Sequence, residues 1–451
     1  MLSSFYSHVR QALNHGSLYF AGLLSERDIG KSFGTTESEA DIYTVLNTIT
    51  VFLTQCLSAD HSCREAVAKF NAWRLSKNLP ACSPETGAYC VARNKLSEEG
   101  CLALTRTVGK QLDESVPLQW LWKGRRTYVL DGSTVSMPGS AELLEEFPQE
   151  SQQNAGAGYP LARILAIFSL AVGTAIEVMI KPYQGKLTGE TSMFRQLMQF
   201  LLPGMVIIGD RAFSGWFDMA LCSANELDFI IRMNASRKAD FRKGKRLGKD
   251  DHIIKLKRPS RPNWMTVEQY KDLPSEIEIR EVRIRITAKG FRTKVIIVQT
   301  TLLDAHEYTK DDIANAFRQR WNAEINLRHL KTTMQMDHLR CKTPHRIRNE
   351  FYMHILAYNL IRKVIALAAI QADTKPWHIS FKGAIQTLNN FLAMLTSLTA
   401  LQQWCDSLLQ SIASHEVGNR PDRFEPRVTK RRPKNYPRMI KSRQEYKSEV
   451  A

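Results

Sequence analysis

The chain has 451 residues, with 62 lysines and arginines against 45 aspartates and glutamates, a formal charge of +17. Hydrophobic residues at 43% and charged residues at 24% lie in the globular range, which excludes wholesale disorder, and the modest glycine and proline counts exclude collagen-like and low-complexity chains. This length accommodates two or three domains with cores of their own, and the charge suits a polyanionic partner better than a small neutral ligand.

The opening residues, MLSSFYSHVRQALNHGS, lack a basic stretch followed by an apolar core, so no secretory signal is expected. Leu161 to Ile180 is the most membrane-like run. It contains Arg163 and Glu177 and a Gly173-Thr174 pair, so it reads as two adjacent strands and not as a span. The eight cysteines include no C-x-x-C pair and are expected to be reduced and mostly buried.

The first 110 residues are nearly neutral and helical in pattern, with apolar side chains recurring through Ile42, Val45, Leu46, Ile49 and Leu53. Within SPETGAYCVARNKLSEEGCLALTRTV two short helices are expected, joined at Leu96-Ser97 with Ser97 as N-cap. They form either a DNA-binding helix-turn-helix or a packing domain. From about Arg126 strands and helices alternate. TYVLD (127–131), MVIIGD (205–210) and DFIIRM (228–233) read as strands; 188–201 and 216–226 read as helices. Residues 234–275 read as basic and irregular, and 232–261 alone hold 12 basic against 3 acidic side chains. Two further strands, 276–287 and 294–301, precede a long helix from Thr309, its candidate cap, to about Met334, and an apolar helix spans 351–368. The last stretch, from His415, is basic and broken by prolines.

Two strands end on acids, Asp131 and Asp210, and ligand sites lie just past strand ends. On the long helix, Phe317, Arg320, Glu324 and Lys331 stand at offsets of three, four and seven, within a roughly 60° arc of one face. Such a face is either a solvated ion-pair stripe or part of a site. Three carboxylates converging from separate segments would bind two divalent cations, Mg²⁺ or Mn²⁺ before zinc, for in-line phosphoryl transfer, with Arg320 and Lys331 holding phosphates.

These residues resemble the DDE transposases of bacterial insertion sequences, in the insertion-sequence-four group with its Tyr-Arg-Glu-Lys signature. The signature's gaps of two, three and six residues match Phe317, Arg320, Glu324 and Lys331. LDGSTVSMPGS, GDRAFSG, RWNAEINLRHLK and HILAYNLIR carry the likeness over roughly residues 80–440. Phe317 stands where the signature has tyrosine, so the ring is kept and the hydroxyl lost.

The resemblance implies an α/β chain with an RNase H-like catalytic core in 116–233 and 306–410. A β-rich basic insertion (234–305) would interrupt that core, an all-α N-terminal domain (1–115) for DNA-end binding or dimerisation would precede it, and a basic tail (411–451) would follow. It implies Asp131, Asp210 and Glu324 as catalytic residues and ligands of two Mg²⁺ ions, for which Mn²⁺ substitutes. Arg320, Lys331, Phe317 and Arg211 become contacts to transposon-end DNA. Trp264, the only tryptophan in the insertion, becomes the candidate for stacking on a flipped base. The expected activity is cut-and-paste transposition: cleavage at terminal inverted repeats of double-stranded DNA and strand transfer into target DNA. It would be carried out by a homodimer in the synaptic complex, in the bacterial cytoplasm at the nucleoid and without a membrane. The alternatives are a non-catalytic DNA-binding regulator or immobile relic, and a stand-alone RNase H-like nuclease.

Overall fold

A computed structural model describes residues 23–34, 41–286 apart from 153 and 155, 295–393, 401–418 and 439–450, together with residues 2, 3, 6, 7 and 9. Helices come first: α1 (Glu26–Phe33), α2 (Val45–Leu57), α3 (Cys63–Ser76), α4 (Gly87–Lys95) and α5 (Glu98–Glu114). Thr44, Ser62 and Ser97 cap α2, α3 and α5, each accepting from the third helical amide with its hydroxyl oxygen. Cys101, Leu104, Thr105 and Val108 of α5 are buried. A Cβ on Gly109 would stand 2.2 Å from the Ala175 carbonyl oxygen, which shows how closely α5 rides on the sheet.

The chain then enters β1 (Thr127–Ser136), α6 (Ala141–Glu146), β2 (Leu161–Ser169), β3 (Ala175–Pro182), α7 (Glu190–Leu197), β4 (Val206–Gly209), α8 (Trp216–Ala224) and β5 (Asp228–Arg232). Next come β6 (Lys245–Gly248), β7 (Asp251–Lys257), α9 (Val267–Asp272), β8 (Glu276–Arg285) and β9 (Val295–Thr300). All nine strands form one mixed sheet in the order β3-β2-β1-β4-β5-β9-β8-β7-β6. β1, β4 and β5 are mutually parallel, and the other pairings are antiparallel. β4 is buried along its whole length, as a central parallel strand covered on both faces must be. The stretch expected to be irregular carries β6, β7 and α9. Its charges hid the pattern because several are buried and paired: Arg280 of β8 grips Asp251 with two hydrogen bonds of 2.8 and 2.6 Å.

The C-terminal helices are α10 (Lys310–Arg318), α11 (Trp321–Arg328), α12 (Pro344–Gln371), α13 (Phe381–Ala393), α14 (Leu401–Ala413) and α15 (Arg443–Val450), with a π-helical turn at His329–Thr333. The expected single helix from Thr309 to Met334 is therefore broken. Thr309 does cap it, in a capping box with Asp312. At the joint the amides of Arg320 and Ala323 bond to the carbonyls of Phe317 and Arg320, three residues back, so the turn is tightened. The tail segment 419–438 lies outside the described residues.

Two apolar clusters cover the two faces of the sheet. One joins Val129, Val135, Val206 and Ile208 to α2, α5, α10, α11 and α12; the other joins Tyr128, Leu130, Ile207 and Phe229 to α7 and α8. α12 is long and apolar enough to cross a membrane, yet 89% of its most apolar window is buried inside the protein, where it is the central core helix. The eight cysteines are free thiols, all buried or half-buried.

Candidate active site

Parallel pairing of β1 with β4 sets Thr127, Tyr128 and Val129 beside Val206, Ile207 and Ile208. Asp131 and Asp210 each lie two residues beyond the last of these pairs, Val129 and Ile208. Side chains alternate along a strand, so Asp131, within β1, shares the face of Val129, the face covered by α11. β4 ends at Gly209, whereas β1 runs on to Ser136, whose amide bonds to the Asp337 carbonyl. Between Asp131 and Val135, therefore, the edge of β1 next to β4 has no strand partner among the described residues.

α11 brings the third acid. Ala323 and Leu327 anchor this helix in the cluster beneath it, and Glu324 stands half-buried beside them. Arg320 Nη2 donates to Glu324 Oε1 at 2.6 Å. From the π-helical turn Lys331 Nζ donates to Ser133 Oγ at 3.0 Å, two residues along β1 from Asp131. Arg320, Glu324, Lys331 and Asp131 therefore meet around one stretch of β1. Phe317 does not join them: the tightened turn leaves it 7% exposed in the core. Arg211 is exposed, next to Asp210, whose Oδ1 accepts from the Arg211 amide at 2.7 Å. Trp264 sits on the opposite face of the sheet, with the Arg195 guanidinium 3.7 Å above its ring and Phe217 edge-on at 6.0 Å.

Burial pushes the Asp131 carboxyl up to about 6. The Gly132 amide and the charge of Arg320 pull it back, while Glu324 and Glu190 push it further. Burial also holds the Lys331 ammonium below its usual value.

Among the described residues no three histidine, cysteine, aspartate or glutamate side chains are arranged as ligands around one point. Glu324 is turned to Arg320 and Asp210 to its own helical turn. The donor chemistry nevertheless fits a hard divalent cation, since the acids supply only oxygen and burial of the half-exposed Asp131 outweighs the Gly132 amide and Arg320 that favour its charge. Glu350 is committed elsewhere: it accepts from the Arg340 and Cys341 amides at 2.8 to 3.0 Å.

Two further residues of this region are not among the sequence candidates. Trp321 opens α11 one residue after Arg320 and is 47% exposed, which is unusual for tryptophan. Glu190 opens α7 and lies against Gly132 from the other face of β1. A first-turn acid is so ordinary that the sequence holds no signal for it.

Residues 122–360 match the family described as transposase DDE domain. The chain is 25% identical over 380 residues to transposase InsG of insertion sequence element IS4 from Escherichia coli strain K12, covering 82% of this chain and 81% of that one. Among solved structures, a piggyBac transposase synaptic complex with hairpin DNA is similar at a TM-score of 0.41 and 10% identity, over 88% of this chain and 84% of that one.

Proposed function

Because the chain belongs to the transposase DDE domain family, and is thereby an enzyme of DNA cleavage and strand transfer, we propose that Asp131, Asp210 and Glu324 are its catalytic carboxylates. The observation that supports this reading is the parallel register of β1 on β4, in which Val129 and Ile208, each two residues before an acid, stand side by side, in the same cluster as α11, the helix of Glu324. These three acids would hold two Mg²⁺ ions, which supply the positive charge that phosphoryl transfer requires at the attacking and leaving oxygens.

The protein's own groups do the rest. Arg320 offers a planar fork of donors to a phosphate of the transposon end, and Lys331, fixed through Ser133, adds a point charge beside it. Trp321, exposed next to Arg320, offers a flat ring to a base. The exposed side chains of Lys238, Lys243, Lys245 and Arg246 on and before the β6–β7 hairpin would follow the DNA backbone without reading sequence.

The strand order β3-β2-β1-β4-β5, antiparallel first and then parallel, supports an RNase H-like core. On this reading, residues 116–233 and 306–410 form that core and 234–305 the insertion. The helical 1–115 then serve DNA-end binding or dimerisation, and 411–451 form a basic tail. The working unit would be a homodimer holding two terminal inverted repeats, in the bacterial cytoplasm at the nucleoid.

The test is cleavage and joining by the purified full chain. A labelled duplex spanning one end of the element is incubated with Mg²⁺ and a target plasmid. Cutting at the end and covalent transfer of the label into the plasmid are the expected results. Cutting without joining would leave only a nuclease.

A further inference from the structure

We propose that Glu190 is a fourth carboxylate of the same cation site, reaching the open edge of β1 from the face opposite Glu324. The inference rests on the reading of Asp131 as a cation-holding residue, and it extends that reading by one residue.

The register of the sheet gives the geometry. Gly132 pairs with Leu165 of β2, and Thr134 with Arg163; Leu165 belongs to the cluster beneath α7 and α8, so these positions face that side. α7 starts at Glu190 and lays its first turn on this face. A Cβ on Gly132 would stand 2.5 Å from both Cδ and Oε1 of Glu190, so the carboxylate occupies the space that a side chain on β1 would fill. The glycine admits the acid to the strand one residue beyond Asp131, where β1 has lost its β4 neighbour. Glu190 and Glu324 therefore flank Asp131 from the two faces of the sheet, and the charges of both act on it.

The ordinary reading is an acid that stabilises a helix N-terminus and pairs with a nearby arginine. The details favour something more. The nearest cation, Arg163 Nη1, stands 3.5 Å from Glu190 Oε1, and the carboxylate accepts no hydrogen bond among the described residues. Arg163 Nε is itself buried without a hydrogen-bond partner there, so the two groups have not closed on each other. A half-buried carboxylate without a hydrogen-bond donor, beside the half-buried Asp131 at the open strand edge, is stabilised by a divalent cation at that edge.

Binding of Mn²⁺ to the DNA-free full chain tests this, read as the free-ion signal in electron paramagnetic resonance and paired with a melting curve for each variant. Asp131→Asn is the control for the site. Glu190→Gln keeps the shape and removes the charge; a loss of about tenfold or more in Mn²⁺ affinity at an unchanged melting temperature is the expected result. Gly132→Ala is the second variant, because its methyl must push the Glu190 carboxylate away. It should weaken Mn²⁺ similarly, and combining it with Glu190→Gln should add little, since both act on one group. If Glu190→Gln fails to fold, Gly132→Ala decides alone. Wild-type affinity in both variants while Asp131→Asn weakens binding would overturn the proposal and leave the three-acid site standing. Wild-type affinity in Asp131→Asn would overturn both.

Discussion

Arg362 Nη2 donates to Asn326 Oδ1 at 2.6 Å, beneath the helix that carries Glu324. Arg362 is buried in α12 with no carboxylate partner among the described residues. It is instead ringed by Tyr358, Trp377 and Phe381 and bonded to the Tyr358 hydroxyl at 2.9 Å. Its other neighbour, His329, is driven down to about 3 by burial and by this same positive charge, so it faces the guanidinium as a neutral ring. The core helix thus fixes the height and rotation of α11 two residues from the third acid.

Replacing that grip should therefore cost both stability and rate. Arg362→Leu leaves Asn326 Oδ1 buried without its donor, at a cost of about 1–3 kcal/mol in urea denaturation. End cleavage should fall more steeply than the folded fraction does. Cleavage that tracks the folded fraction alone would make Arg362 a core residue with no part in placing Glu324.

Asp131→Asn, Asp210→Asn and Glu324→Gln each remove one charge at nearly constant volume. Each should abolish strand cleavage while end binding, measured by gel shift, stays near wild type, because affinity rests on phosphate contacts elsewhere. Near-wild-type cleavage in any one variant would remove that residue from the site.

The buried carboxyl of Asp131 also gives a stability signature. Its folded-state value, pushed up to about 6, lies above the unfolded value of 3.8. The favourable contribution is therefore complete below about pH 4 and lost as pH rises through about 6, worth about 1–3 kcal/mol. In EDTA, Asp131→Asn should melt like wild type at pH 4 and above it at pH 7. A constant difference across that range would show that the carboxyl is not the buried charge.

Arg320→Ala and Lys331→Ala distinguish a phosphate grip from an ion-pair stripe. A stripe predicts under about 1 kcal/mol of stability and nothing else. A phosphate grip predicts folded proteins with end cleavage down about 100-fold, and little recovery in Arg320→Lys because an ammonium cannot copy the fork. Normal cleavage in both alanine variants would defeat the DNA-contact assignment.

Neutralising Lys238, Lys243, Lys245 and Arg246 together should weaken binding to all DNA sequences alike and flatten the log-affinity against log-salt slope by about 0.9 per lost contact. Arg237 is spared because it pairs with the buried Glu281 at 2.6 Å, and Arg242 because it already holds Asp240 at 2.9 Å. An unchanged slope would mark the hairpin as a solvated surface.

Much of the arrangement was legible beforehand. The apolar run at Ile207 ends where the chain must turn, so Asp210 could be read as a strand-end acid; Asp131 is not one, because β1 runs five residues past it to Ser136, where polar Ser133 and Thr134 hid the continuing strand. Ser97 and Thr309 announced helix starts because a hydroxyl there satisfies an otherwise orphaned amide. The break in the long helix could not be read, since Gln319, Arg320 and Trp321 are ordinary helix residues. It follows from packing: Phe317 and Ala323 share one core, yet an unbroken helix would set them about 120° apart. The tightened turn adds about 20° per residue and brings them nearer. Glu190 escaped notice because its meaning depends on a glycine 58 positions earlier, a relation that only the sheet register creates.

The apolar cluster that joins α2 and α5 to α12 and to β1 also bears on heredity. Leu104 and Val108 from the first quarter of the chain, Val129 from β1 and Ile355 from α12 belong to one packed body, stitched by Asn359 to both Thr105 and Ala175. A crossover in the gene between the codons of Glu114 and Thr127 would set a foreign helix against this seam, where a change of one methylene is felt. The helical and catalytic halves are thereby bound to descend together, and innovation falls to surfaces away from the seam, such as the β6–β7 hairpin.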